Sequence, residues 1–131
     1  MTDNELCALA VNALGKSYSP YSGYRVGAAL MCADGTVYTG CNIENAAYSP
    51  SVCAERVAIF KAVSDGRRDF IKIAVAGGKD GIVNGVFPPC GVCRQVMREF
   101  CGNDFEILLV KSQTEFQKTT LSELLPLSFS L

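Results

Sequence analysis

The chain has no histidine and no tryptophan, and aromatic residues fill only 9% of its 131 positions. Without imidazole, any metal site must be built from thiols and carboxylates. Blocks of like charge are also missing. Twelve basic residues face thirteen acidic ones for a net charge of −1, and the basic residues stand singly or in pairs such as Arg67-Arg68. That excludes the basic stripe of a nucleic-acid groove and favours a small free substrate. No stretch approaches the roughly twenty apolar residues of a membrane span. Asp3 and Glu5 interrupt an N-terminus that has no basic leader, so no secretory signal is expected. There is no low-complexity segment, internal repeat or linker, so residues 1–131 are expected to form one domain. Cysteine, by contrast, is plentiful. Seven of them, an odd number, suit a reducing compartment better than a disulfide framework and place the chain in the cytoplasm.

Hydrophobic periodicity predicts the elements. Leu6, Leu9, Ala10, Ala13 and Leu14 recur at helical spacing, with Gly15 as the stop. Arg25 to Cys32 and Val37 to Cys41 flank Ala33-Asp34-Gly35-Thr36 and read as an antiparallel hairpin. A second helix is predicted from Val52 to Ser64, with Ser51 or a neighbour as N-cap and Gly66 closing it. Ile71 to Ala76 is a short apolar strand followed by a Gly-rich loop. Pro89-Cys90 opens a third helix that runs to about Phe100 or Cys101 with Gly102 as cap, and Phe105 to Val110 is a further buried strand. Strands alternating with helices predict an α/β fold, a three-layer α/β/α sandwich with a mixed sheet.

Two motifs carry the chemistry: Cys53-Ala54-Glu55-Arg56 and Pro89-Cys90-Gly91-Val92-Cys93. Residues three apart share a helix face, so Cys90 and Cys93 can reach one ion. Cys53 adds a third thiolate, and three protein ligands leave one position of a tetrahedral zinc for water, the mark of a catalytic site. Two other readings stand beside this one. Cys90 and Cys93 also fit a redox pair at a helix start. A closed structural site needs a fourth ligand from Cys7, Cys32, Cys41 or Cys101, each of which suits a small buried apolar role. Three thiolates make zinc a weak Lewis acid, and two devices offset this: both motifs sit at predicted helix N-termini, and Arg56 shares the face of Cys53 and can donate to sulfur. The commoner fate of such an arginine is a solvated surface charge. Glu55, two positions after Cys53, points away on a regular helix, but a ligand at the helix start escapes that rule. It is either the proton carrier or a capping carboxylate.

At these residues the chain resembles the zinc-dependent nucleoside deaminases, specifically the small homotetrameric three-cysteine cytidine deaminases. The resemblance extends through Pro20-Tyr21-Ser22-Gly23-Tyr24-Arg25-Val26-Gly27-Ala28-Ala29-Leu30, Gly40-Cys41-Asn42-Ile43-Glu44-Asn45-Ala46-Ala47-Tyr48 and Leu124-Leu125-Pro126-Leu127-Ser128-Phe129. It implies one Zn2+ per subunit on Cys53, Cys90 and Cys93, Glu55 as proton shuttle and Arg56 as the sulfur-binding arginine. It further implies that Asn42 and Glu44 bind the ribose 3′-hydroxyl, that Ala46 and Tyr48 line the pocket across subunit contacts, and that Phe129 packs over a neighbour's substrate. Tyr24 stands where the family usually has phenylalanine, adding a hydroxyl to the pocket wall. The implied reaction is hydrolysis at C4 of free cytidine or deoxycytidine, in pyrimidine salvage. A related deaminase acting on blasticidin S and a noncatalytic zinc or redox module are the alternatives.

Overall fold

In the computed structural model, which describes residues 1–131, the Thr2 hydroxyl accepts the Glu5 amide and starts α1 (Asp3–Leu14), which ends at Gly15 as expected. Its buried stripe of Leu6, Cys7, Ala10 and Leu14 covers one face of a sheet. β1 (Tyr24–Cys32) and β2 (Val37–Cys41) form the expected hairpin around Asp34-Gly35. β1 is buried on both faces: Ala29 and Met31 meet α1, while Val26, Ala28 and Leu30 belong to the opposite core. That explains its nearly unbroken apolar run.

α2 (Ala54–Ser64) follows, then β3 (Phe70–Lys79), α3 (Gly91–Phe100), β4 (Glu106–Val110), β5 (Phe116–Thr120) and the single turn α4 (Leu121–Leu124). The sheet order is β2-β1-β3-β4-β5. Only β3 and β4 are parallel, joined by α3 as crossover, so the sheet is mixed as predicted. α2 packs on the face opposite α1, where Ala54, Ala58, Ile59 and Ala62 join Ile73, Val75, Met97 and Ile107. Helices cover both faces, and the layers are α/β/α.

Four details differ from the periodicity. α2 begins at Ala54 rather than Val52, because the Val52 and Ile43 backbones exchange hydrogen bonds at 3.0 and 2.9 Å and hold Val52 extended. β3 continues through Gly77 and Gly78 to Lys79, so those glycines lie in a strand and not in a loop. Cys101, in extended conformation, caps α3 in place of Gly102. β5 and α4 complete the chain without having been predicted.

Candidate metal centre and its cavity

α2 and α3 start alike. Cys53 and Cys90 are their N-cap residues, both extended, at φ −78°, ψ 155° and φ −69°, ψ 168°. Neither sulfur caps a backbone amide, unlike the oxygen of a usual N-cap residue, so both are free to face each other across 3.7 Å. Cys93, one turn into α3 and fully buried, places its sulfur 3.6 Å from that of Cys90. All three sulfurs lie within 4.8 Å of one another. A tetrahedral zinc with Zn–S bonds of about 2.3 Å holds its sulfurs about 3.7 Å apart, so the cluster fits that ion.

The other four cysteines stand apart from this group. Burial pushes the thiols of Cys7 and Cys101 up to about 11 and about 12, as expected of inert core residues. At the cluster two neighbouring thiols part. Hydrogen bonds with the Cys93 thiol and then the Arg56 guanidinium hold Cys53 down at about 5, whereas the hydrogen bond shared with Cys53, and then burial, push the Cys93 thiol up. The Arg56 Nη2 donates to Cys53 Sγ at 3.3 Å. Two helix N-termini add their partial positive charge at the same point.

Glu55 is only 3% exposed, and its Oε1 has no hydrogen-bond partner in the protein. Burial pushes its carboxyl up to about 7. An orphaned, buried carboxylate oxygen beside three sulfurs is costly in a structural module and useful beside a metal that carries water. Gly40 in β2 is what lets the start of α2 sit so low. A Cβ there would lie 2.5 Å from the Ala54 carbonyl oxygen and 2.6 Å from the Ala58 nitrogen.

The cluster forms the floor of a cavity of about 330 Å³, within the range of small-molecule sites. Of the sequence-predicted residues, Tyr24, Asn42, Glu44, Cys53, Glu55, Arg56 and Cys90 line it, and Cys93 lies behind. Val26, Ser51, Val52, Phe87 and Pro88 also line it and were not predicted. Phe87 lies 5.9 Å from Tyr24, ring to ring, and makes one wall with it. Gly77 makes room for that wall, since a Cβ there would meet the Phe87 ring at 2.9 Å. Phe87-Pro88-Pro89 directly precedes Cys90, and that adjacency was the available signal.

Asn42 is buried and nearly saturated. Its Oδ1 accepts from the Val26 amide at 2.9 Å and the Ser17 hydroxyl at 2.5 Å, and its Nδ2 donates to the Tyr24 carbonyl at 2.8 Å. One amide N–H is left over. Glu44 is similar on the acceptor side: Oε1 takes the Tyr21 and Ser22 amides at 3.0 and 3.1 Å, and Oε2 takes the Ser22 hydroxyl. The Ser22 hydroxyl, followed by the Ser22 and Tyr21 amides, lowers the Glu44 pKa. The backbone between these two residues is stitched on both sides. Tyr18 N–H donates to the Asn42 carbonyl at 3.1 Å and Glu44 N–H to the Tyr18 carbonyl at 2.8 Å, while Ile43 pairs with Val52 just before Cys53.

Ala46, Tyr48 and Phe129 are exposed and outside the cavity of their own chain. Tyr48, at φ +62°, packs edge-on against Tyr21 at 6.3 Å. The tail is strapped to α3 by three side chains. Arg94 donates to the Leu124 carbonyl at 2.7 Å, Arg98 to the Ser128 hydroxyl at 3.0 Å and Gln95 to the Phe129 carbonyl at 3.2 Å.

Comparison with known proteins agrees with this geometry. Residues 1–108 match the family model for the cytidine and deoxycytidylate deaminase zinc-binding region. A cytidine deaminase of Sporosarcina psychrophila is 48% identical over 130 residues, covering 99% of this chain and 93% of that protein. The 1.6 Å crystal structure of cytidine deaminase from Burkholderia pseudomallei superposes with a TM-score of 0.90 at 44% identity, covering 98% of this chain and all of the other. A blasticidin-S deaminase of Bacillus cereus is 31% identical, over 98% of this chain and 92% of its own length. The three-sulfur cluster, the mixed sheet and this full-length similarity lead to one conclusion: the chain belongs to the zinc-dependent cytidine and deoxycytidylate deaminase family.

Proposed function

We propose that this chain hydrolyses free cytidine and 2′-deoxycytidine to uridine and 2′-deoxyuridine, releasing ammonia, in pyrimidine salvage. The observation that carries this reading is the buried Glu55 carboxylate, with an unpartnered Oε1, in the same cavity as the three-sulfur cluster. Cys53, Cys90 and Cys93 would hold zinc, which when bound would supply a water acidified to near neutrality. Glu55 accepts the proton of the water that adds to C4 and delivers it to N3; it then takes the proton of the new C4 hydroxyl and passes it to the amine, which leaves as ammonia while the C4 carbonyl forms. A carboxyl raised to about 7 suits a group that takes and returns a proton near neutral pH. Arg56 withdraws electron density from the Cys53 sulfur through its hydrogen bond, offsetting the weak Lewis acidity of a three-thiolate metal.

Sugar recognition falls to Asn42 and Glu44. One free amide donor and one remaining carboxylate lone-pair site match a hydroxyl read as acceptor and donor, the 3′-hydroxyl of the ribose. Tyr24 and Phe87 flank the nucleoside. Exposed Tyr48, Phe129, Leu127 and Phe60 need cover, which supports a homotetramer in which Ala46, Tyr48 and Phe129 complete neighbouring pockets. Light scattering showing a monomer overturns that arrangement. Three sulfurs that must remain reduced support a cytoplasmic home. No helix is long and apolar enough to cross a membrane.

The deciding experiment is the ultraviolet difference spectrum of cytidine with the purified protein, before and after zinc removal. Metal-dependent conversion to uridine is the expected result. Blasticidin S serves as the comparison substrate, given the Bacillus cereus relative. Faster turnover of blasticidin S than of cytidine replaces the nucleoside reading, and no turnover of either by zinc-loaded protein overturns catalysis.

A further inference from the structure

Lys79 ends β3 opposite Tyr24 of β1. An exposed lysine is ordinarily a solvated charge, and this one forms no ion pair. Its ammonium instead donates to the Ser22 carbonyl at 2.7 Å and stands 5.2 Å from the centroid of the Tyr24 ring, within cation–π range. One residue on, the Asp80 amide donates to the Gly23 carbonyl at 2.8 Å. The end of β3 therefore grips the turn 19–23 at two successive carbonyls. The turn is closed by the Gly23 amide on the Ser19 carbonyl at 3.1 Å and requires Gly23 at φ +74°. A Cβ at Gly23 would also lie 3.0 Å from the Lys79 Nζ, so ammonium and turn are closely fitted.

The same turn supplies all three donors that hold Glu44: the Tyr21 and Ser22 amides and the Ser22 hydroxyl. Glu44 is a flexible side chain on a loop, and the direction of its remaining lone pair is set by those donors. We propose that Lys79 is a positioning residue for sugar recognition, fixing through the Ser22 carbonyl the turn that aims the Glu44 carboxylate. The inference rests on the reading that Glu44 and Asn42 take the 3′-hydroxyl. Lys79 does not line the cavity and bonds none of the three cysteines; its effect passes through the turn.

The test compares wild-type, Lys79→Met and Lys79→Arg enzymes, matched for zinc content, on 2′-deoxycytidine and 2′,3′-dideoxycytidine. The ratio of kcat/KM values for the two substrates isolates the 3′-hydroxyl. Lys79→Met is expected to lower that ratio about three- to tenfold, the scale of one hydrogen bond's worth of alignment. The loss enters through the KM for 2′-deoxycytidine, with dideoxycytidine within about twofold of wild type, and Lys79→Arg retains most of the ratio. An equal fall for both substrates assigns Lys79 to the pocket wall through Tyr24 and overturns the inference. So does a large wild-type ratio that survives Lys79→Met, and that outcome leaves the Glu44 reading standing. A wild-type ratio near one removes the Glu44 reading, and the inference falls with it.

Discussion

The starts of α2 and α3 are two solutions to one local problem. Each has a cysteine at the N-cap and a residue one turn on that reaches the same metal cluster. In α3 that residue is Cys93, a second ligand, and the intervening Val92 is 58% exposed. In α2 it is Arg56, which binds the sulfur of Cys53, and the intervening Glu55 is buried. The α3 start supplies two of the three sulfurs, while the α2 start supplies one, together with the two groups proposed to tune and use the metal. The difference shows that backbone geometry is shared and chemistry is written in the second and third helical positions.

The comparison breaks most completely at Cys93→Ser, which turns the two-sulfur start into a single-sulfur one. Zinc content is expected to fall well below one per chain and activity with it, read by metal analysis; full zinc retention contradicts the ligand assignment. Glu55→Gln should separate the two jobs instead. Zinc stays bound while kcat falls by at least about 10²–10⁴-fold, and wild-type turnover in that variant removes Glu55 from catalysis. Arg56→Ala is a milder break, expected to cost about 10–100-fold in zinc affinity or in rate. If chelator competition and kcat are both unchanged, the guanidinium is a surface charge that happens to face sulfur.

The smallest effects sharpen the comparison through stability. Gly40→Ala forces a methyl into the backbone of α2 and should cost about 1–3 kcal/mol in denaturant unfolding. Gly91→Ala, at the first position of α3, meets nothing within 4 Å and should be neutral or stabilising by up to about 1 kcal/mol. Equal effects of the two would mean that the helix starts are seated alike.

The motifs and the apolar runs were legible because they depend on local rules. α1 and the β1–β2 hairpin follow the periodicities of 3.6 and 2, and the cysteine spacings announce the cluster. Val52 misled because an apolar residue after Ser51 imitates a capped helix, while its real partner, Ile43, is distant in sequence. Gly77 and Gly78 read as a loop although they belong to a strand whose neighbours leave no room for a Cβ. β5 was hidden because Phe116-Gln117-Lys118-Thr119-Thr120 is an edge strand with polar residues, patterned for water on its open side. Phe87 was signalled only by its nearness to Cys90, and its contact with Tyr24 needs the fold. Ala46, Tyr48 and Phe129 are exposed and outside the cavity of their own chain, so the pocket roles proposed for them rest on the proposed assembly.

The short pairing of Ile43 with Val52 has a consequence for how this enzyme fails. On one side of it stand the groups assigned to the sugar, and on the other the first ligand of the metal. Amide exchange at Ile43 and Val52 is therefore expected to report on both at once. Zinc release and exchange at both amides are expected to coincide in a single denaturant transition, and zinc release at a lower denaturant concentration than exchange contradicts that coupling.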